Sequence, residues 1–174
     1  KIKVVNFGVW RQDGWRNNQE LEPYHSIDWY IQSAMQASSR QGKLNGNQMI
    51  IDLFCEPWQQ LQPHYDIVIL RSDMYSGEAN NNFVIGLASK GNGTVISINR
   101  FLGLDPRTQI DCIKTETIHE VGHVFGLVPE KRQERVEENL GKHCTNICVM
   151  RQGTCVPDDW IRITQDRLEG HVFC

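Results

Sequence analysis

The sequence predicts an α/β (α+β) fold in which a twisted, mixed β-sheet is backed by helices. Apolar and β-branched runs that are typical of strands lie before Phe101. A long segment with helical spacing begins after them, at Pro106 or Arg107. The chain of 174 residues contains no repeat and no linker, so we expect a single domain over residues 1–174.

Five segments are predicted to be strands. Turn-forming residues separate them, and Gly91, Asn92 and Gly93 form the turn between the last two. The third segment, DIVIL, is a continuous apolar run, which is typical of a buried central strand. The predicted strands are residues 1–9, 47–54, 66–70, 82–88 and 94–99.

Three helices are predicted from capping residues, apolar spacing and stop signals. A Ser at the start of the first helix can cap it, and a Gly follows its last residue. The second helix has a Pro at its start and a Gly at its end. The predicted helices run from Ser26 to about Gln41, from Pro106 or Arg107 to Gly126, and from about Asp158 to His171.

Charge and hydropathy restrict the classes of partner. The chain carries a net charge of -3 with 22% charged residues, which gives no reason to expect a nucleic acid or an anionic membrane as partner. No apolar run is long enough to cross a bilayer, and no signal peptide is visible after Lys1. We therefore expect a cytoplasmic monomer without nucleic-acid or membrane association.

Residues 119–123 form the motif H-E-x-x-H on the second predicted helix. Four residues advance a helix by slightly more than one turn, so His119 and His123 project from one face and can hold one metal ion. Glu120 can reach a metal-bound water. Zinc lowers the pKa of such a water from about 15.7 to about 7, and Glu120 would pass its proton to the leaving amine. The motif therefore predicts a zinc-dependent peptidase that hydrolyses peptide bonds.

The third metal ligand is less clear from the residues alone. In the extended pattern H-E-x-x-H-x-x-G-x-x-H the last histidine would fall at Pro129. The next histidine is His143, and zinc accepts imidazole readily. The alternatives to His143 are carboxylates of the charged segment 129–142, namely Glu134, Glu137 and Glu138.

Four of the six cysteines lie after His143. An even number of cysteines permits disulfides, but a domain of this size does not require them. Their clustering close to histidines favours a metal site. The four cysteines are Cys144, Cys148, Cys155 and Cys174.

The phrases H-E-V-G-H-V-F-G and, later, H-C-T-N-I-C-V-M together resemble the archaemetzincin (archaelysin) family of metzincin zinc metallopeptidases. The resemblance implies a zincin-like fold of the metzincin type, with a methionine turn beneath the zinc. It also implies a catalytic zinc held by His119, His123 and His143, with Glu120 as base and Met150 in the methionine turn. The other segments that resemble the family are residues 66–73, 82–88, 94–101 and 164–174.

Two departures from the family pattern stand out. About 14 residues are inserted between Gly126 and His143, and Pro129, Gly141 and the spacing of Glu138 from Lys142 predict a solvated helix there. The family also holds a structural zinc with four cysteines, the last two as C-x-x-C, whereas this chain stops at the first of that pair. The resemblance then implies Cys144, Cys148 and Cys174 as ligands and Cys155 as the available fourth, with His171 as an alternative. If the polypeptide continues past residue 174, a cysteine beyond that point is preferred over Cys155.

A peptide or protein substrate is expected at an exposed strand edge beside the metal, where an extended peptide adds through backbone hydrogen bonds. Two types of activity stay open, a metalloendopeptidase and an aminopeptidase-like enzyme. The rival interpretation is a catalytically weak, zinc-stabilised peptide- or protein-binding module on the same scaffold. The predicted edge strand consists of Asn82, Phe83, Val84, Ile85, Gly86, Leu87 and Ala88.

Overall fold

The computed structural model describes residues 3–4, 22–24, 26–57, 64–78 and 81–174. The predicted strand over residues 1–9 therefore lies almost entirely outside the described residues. None of the helices in the part of the chain that the structure describes has the length and apolar character that a membrane crossing requires. The elements in chain order are α1 (Ile27–Gln36), β1 (Leu44–Asn45), α2 (Gly46–Phe54), β2 (Asp66–Leu70), β3 (Met74–Tyr75), β4 (Gly86–Ser89), β5 (Gly93–Ser97), a short 3-10 helix (Asn99–Phe101), α3 (Pro106–Val124), β6 (Val136–Glu138), β7 (Lys142–Cys144) and α4 (Asp158–Leu168).

The main sheet is mixed, as predicted, with the strand order β2-β5-β4. β5 runs parallel to β2 and antiparallel to β4. All five residues of β5 are buried, whereas Ile67 and Ile69 of β2 are each 49% exposed. The prediction of residues 66–70 as the buried central strand is therefore wrong, because β5 takes that place among the described strands.

Residues 47–54 form a helix and not the predicted strand. The side chain of Asn45 accepts a hydrogen bond from the backbone N–H of Gln48 and caps the first turn of α2. Met49 and Leu53, four residues apart, are buried, whereas Ile51 is 51% exposed. A short apolar run suits either structure by pattern alone, and here the cap and the buried i,i+4 pair favour the helix.

The first apolar core joins α1 and α2 to the sheet. α1 begins after Ser26, as predicted, but it ends at Gln36 and not near Gln41. The chain then turns back through Gly42, whose φ of 74° favours glycine. The buried members of this core are Tyr30, Ala34, Leu44, Met49, Leu53, Val68, Leu70, Met74, Val84 and Val95.

The second core packs α3 between the sheet and α4. α3 begins at Pro106, and the Asp105 side chain accepts hydrogen bonds from two backbone N–H groups of its first turn. Thr115 of α3 and Thr164 of α4 share a hydrogen bond of 2.8 Å. α4 ends at Leu168, before the predicted His171. The buried members of this core are Ile85, Phe101, Cys112, Trp160 and Ile163.

Residues 129–142, predicted as a solvated helix, contain one strand of a β-hairpin. β6 pairs antiparallel with β7, and Glu138 lies opposite Lys142. These two residues are four apart, which makes them neighbours in a helix and equally in this hairpin. Val136 packs against a small apolar cluster, while the segment offers too few other apolar residues to bury a helical face. The residues with positive φ in this segment are Arg135, Leu140 and Gly141.

The central position of β5 can be tested with two isoleucines that are paired in register. Ile96 of β5 is fully buried, and its partner Ile69 of β2 is half-exposed. Ile96→Ala should lower the free energy of unfolding by about 2–5 kcal/mol, and Ile69→Ala by about 1 kcal/mol or less. Urea unfolding with an unchanged m-value measures both losses. Equal losses would contradict the assignment of β5 as the central strand.

Candidate metal centre

Three histidine side chains converge at one point. His119 and His123 come from α3, and His143 comes from β7. The Nε2 atom of His123 lies 3.1 Å from Nε2 of His119 and 3.1 Å from Nε2 of His143. Each of these residues offers a ligand atom within 4.8 Å of the other two, so the group could hold a metal ion.

Backbone carbonyls orient two of the three imidazoles. Nδ1 of His119 lies 2.6 Å from the carbonyl oxygen of Val149, and Nδ1 of His143 lies 3.0 Å from that of Gly141. An Nδ1–H that donates to a carbonyl leaves Nε2 unprotonated in the neutral ring. The Nε2 lone pairs of both rings then point to the common centre, which is the arrangement that metal-binding histidines require.

Burial keeps the three imidazoles neutral. It lowers the pKa of His119 well below its ordinary value, and the neighbouring imidazoles lower it further. It lowers the pKa of His123 to about 4 and also lowers the pKa of His143. Metal ions bind the unprotonated ring, so burial favours the form of these histidines that binds a metal.

Glu120 lies directly beside this group. Its side chain is buried, and its Oε1 atom lies 4.0 Å from Nε2 of His119. Burial raises the pKa of Glu120 to about 8, which makes this carboxylate a stronger proton acceptor than a solvated one. Placement and basicity therefore suit the predicted role of general base.

One buried carboxyl group of the site is not singled out by the sequence analysis. Glu116 lies one helical turn before Glu120 on α3 and is completely buried. The only sequence signal for it is its i,i+4 spacing from Glu120 on a predicted helix. That spacing is common on solvated helix faces, so it indicates little without the fold.

Met150 packs against the opposite side of α3 from the cleft strand. It is buried in a small cluster with Val128, Cys144 and Cys148. A Cβ atom on Gly122 would overlap the sulfur of Met150, so the glycine inside the H-E-x-x-H motif allows this close contact. The carbonyl of Met150 accepts a hydrogen bond of 2.8 Å from the N–H of Cys144, which ties the turn to β7.

Three cysteines form a second group that could hold a metal. Sγ of Cys174 lies 3.3 Å from Sγ of Cys144 and 4.0 Å from Sγ of Cys148. Cys155 lies apart from them and is exposed, with its Sγ 3.8 Å from a carboxylate oxygen of Asp158. Within the described residues, the structure brings together three of the four predicted cysteines and leaves Cys155 outside the group.

The alternative ligands also lie outside both groups. His171 is 66% exposed, and its Nδ1 lies 3.0 Å from a carboxylate oxygen of Asp166. In the described part of the chain, no carboxylate belongs to the group of His119, His123 and His143. The structure therefore favours His143 as third ligand over the three competing residues Glu134, Glu137 and Glu138.

The three histidines lie in a cleft of about 410 Å³. One wall consists of all seven residues of the predicted edge segment, 82–88. The regular strand there is shorter than predicted, since β4 starts at Gly86 and Val84 forms only an isolated bridge with Met74. The other wall includes the hairpin tip, residues 139–141, and the loop 152–154.

The comparisons with known sequences show that the chain is similar to archaemetzincins. Three curated relatives carry that name. The one from Nanoarchaeum equitans is 37% identical over 83 residues, 48% of this chain and 36% of that protein. The one from Archaeoglobus fulgidus is 36% identical over 78 residues, 44% of this chain and 40% of that protein. The one from Thermococcus kodakarensis is 35% identical over 103 residues, 55% of this chain and 47% of that protein.

The matched segments thus span less than half the length of these relatives. A comparison with protein-family models found no match.

Two solved structures share the fold. The archaemetzincin of Archaeoglobus fulgidus, complexed with malonate, superimposes with a TM-score of 0.52 at 24% sequence identity. The match covers 75% of this chain and 68% of that chain. The archaemetzincin of Methanopyrus kandleri superimposes with a TM-score of 0.53 at 20% sequence identity. That match covers 82% of this chain and 86% of that chain. These likenesses and the mixed α/β architecture define an α+β protein with a zincin-like fold.

The similarity to the three relatives supports a relationship with archaemetzincins over about half of the chain. The resemblance predicted from the two motifs is confirmed.

The third ligand can be tested by zinc content. His143→Ala removes one of three imidazoles, so zinc affinity should fall on the order of 100-fold or more, since even the loss of an outer hydrogen-bonding partner costs 10–100-fold. Elemental analysis after dialysis against a weak chelator should show one zinc fewer per chain. The matched control is Glu137→Ala, on the strand opposite, which should keep the wild-type content. The reverse result would assign the site to the carboxylate.

The cysteine group can be tested by comparing two serine variants. Cys174→Ser removes a thiolate from the group, so zinc content should fall and the thermal midpoint should drop, because a closed thiolate site contributes directly to folding. Cys155→Ser should change neither, since Cys155 lies outside the group. If both variants lose the same amount of zinc, Cys155 is a ligand. In that case the separation of Cys155 from the other three cysteines does not describe the metal-loaded state.

Proposed function

We propose that this protein is a zinc-dependent peptidase that hydrolyses peptide bonds with a water molecule activated by Glu120. The observation that carries the proposal is the convergence of His119, His123 and His143 inside a cleft, with the buried Glu120 beside them. Such convergence of three neutral imidazoles and one carboxylate suits metal-assisted hydrolysis.

The donor set fits zinc. Three neutral imidazoles are typical of catalytic zinc sites, which keep one coordination position open. A bound zinc ion supplies Lewis acidity, which acidifies water and polarises the scissile carbonyl. The distances of 3.1 Å between Nε2 atoms bring the ligand atoms close enough for a single small ion.

Glu120 moves the proton in this proposal. Its carboxylate accepts a proton from the attacking water and donates that proton to the nitrogen of the leaving amine. Burial favours both steps because it raises the pKa of Glu120 toward neutrality, where a group can take up and release a proton at similar ease.

The substrate in this proposal is a peptide or protein chain bound in extended form. β4 pairs with β5 through one edge, and among the described strands its other edge has no partner. Residues 82–88 line the cleft next to the three histidines. An extended peptide that pairs with this segment would place its backbone along the histidine group. Side chains of the hairpin tip, residues 139–141, would contact it from the opposite wall.

We also propose a structural zinc at Cys144, Cys148 and Cys174. Thiolates are the ligands of closed structural sites. Cys144 lies on the strand that carries His143, and both Cys144 and Cys148 are buried. A metal there would fasten the segment that carries Cys174 to that strand and so hold the third histidine in place. The predicted monomeric state and cytoplasmic location stay predictions.

The test of the proposed function is Glu120→Gln. This variant keeps the size and polarity of the side chain but removes its proton acceptor, so kcat should fall about 10²–10⁴-fold with zinc content unchanged. Cleavage is measured by mass spectrometry on a peptide library with the zinc-loaded protein. The positions of the products show whether the enzyme acts inside chains or at their amino ends.

Glu138→Gln is the matched control, because Glu138 is an exposed acid on the hairpin and should leave cleavage unchanged. Wild-type turnover in Glu120→Gln would remove Glu120 from its role. A zinc-loaded wild-type protein that cleaves no library peptide would overturn the peptidase proposal. The rival interpretation, a zinc-stabilised peptide- or protein-binding module, would then be favoured.

A further inference from the structure

Glu116 is a buried acid that the proposed reaction does not use. It lies on α3, one turn before Glu120, and its side chain has no exposed surface. Both of its carboxyl oxygens lack a hydrogen-bond donor among the described residues. A buried carboxyl group without a partner is unfavourable by several kcal/mol when it is ionised, so its environment requires an explanation.

The group that lies against Glu116 is the carboxyl of Glu120. A Cβ atom on Gly86 would overlap both Oε1 of Glu116 and Oε1 of Glu120. The two oxygens therefore lie against the same part of the β4 backbone, and the two carboxyl groups are within hydrogen-bonding reach of each other. The absence of a side chain at Gly86 leaves the space in which both carboxyl groups fit.

Two ionised carboxylates cannot occupy this space together at acceptable energy. Burial, and next to it the neighbouring Glu120, raises the pKa of Glu116 well above its ordinary value. Like charges in contact force one of the two groups to keep a proton. Both carboxyl groups line the cleft, and Glu120 lies 4.0 Å from Nε2 of His119. A single proton shared by the two groups removes the repulsion and gives Glu116 the hydrogen bond that it lacks among the described residues.

A protonated Glu116 resolves the missing donor. Its O–H can donate to Oε1 of Glu120, which satisfies both carboxyl groups with one charge-assisted hydrogen bond. Among the described residues, no other side chain donates a hydrogen bond to Glu120. Without that bond, the Glu120 side chain could rotate within the cleft, and its carboxylate would no longer stay beside the three histidines.

We propose that Glu116 is a positioning residue whose neutral carboxyl group donates a hydrogen bond to Glu120 and holds the Glu120 carboxylate between Gly86 and the three-histidine group. This inference rests on the proposed function for its effect on turnover. The hydrogen bond itself rests only on the contact of the two carboxyl groups beneath β4 and on the lack of any other donor.

Two variants separate positioning from packing. Glu116→Met keeps the length of the side chain but removes the donor, so kcat should fall about 10- to 100-fold with KM and zinc content unchanged, which is the range for losing a group that orients a functional side chain. Glu116→Gln retains an N–H donor and should stay within about threefold of wild type. An equal fall in kcat in both variants, or a kcat of Glu116→Met close to that of wild type, would overturn the proposal.

A second readout does not depend on activity. Infrared difference spectra of the zinc-loaded protein at neutral pH should show one carboxylic-acid C=O band that is present in wild type and lost in Glu116→Gln. The control is Glu169→Gln, which changes an exposed acid at the end of α4 and should leave the band intact. A band that persists in Glu116→Gln would overturn the proposal. This test uses only Glu116→Gln, so it remains decisive if Glu116→Met does not fold.

The two proposals fail in different ways. If the zinc-loaded wild type cleaves no peptide, the proposed function fails, whereas the infrared band still decides whether Glu116 carries the proton. A crystal structure of Glu116→Met then decides whether Glu116 positions the carboxylate of Glu120. A Glu120 carboxylate that has left Gly86 supports positioning by Glu116, and an unmoved carboxylate overturns it.

Discussion

Two backbone carbonyls determine the geometry of the candidate metal centre. The carbonyl of Val149 orients His119, and that of Gly141 orients His143. Gly141 lies at the end of the inserted segment and Val149 follows His143, so the stretch of chain around β7 supplies the third imidazole and aligns the first. The position of His143 depends in turn on the pairing of β7 with β6 and on the bond from Cys144 N–H to the carbonyl of Met150.

The helix that carries the motif is held closely on two sides by glycines. Gly86 lets the backbone of β4 approach Glu116 and Glu120, and Gly122 lets Met150 approach the helix from another side. A larger residue at either position would move α3 relative to the cleft or displace the side chains that touch it. Trp160 also encloses the site, since its ring packs edge-to-face with the ring of His119, with 5.2 Å between the ring centroids. The resulting burial explains why the imidazoles stay neutral and why one of two adjacent carboxyl groups keeps a proton.

The sequence predicts the site better than it predicts the sheet, for a physical reason. The H-E-x-x-H motif and the cap of α3 are local patterns whose geometry follows from helix spacing, and the structure has the helix at the predicted start. Residues 47–54 and 129–142 are assigned wrongly, because a short apolar run fits a helix or a strand, and an i,i+4 ion pair fits a helix or a hairpin. The central place of β5 and the contact of Glu116 with Gly86 depend on long-range packing, which no local pattern reports.

The central claim is that three imidazoles bind one ion. A crystal structure of the zinc-loaded protein, with anomalous data collected at the zinc absorption edge, tests it most directly. The account predicts a peak about 2.0–2.1 Å from Nε2 of His119, His123 and His143. A peak coordinated by a carboxylate of the hairpin, with the ring of His143 turned away, would contradict it.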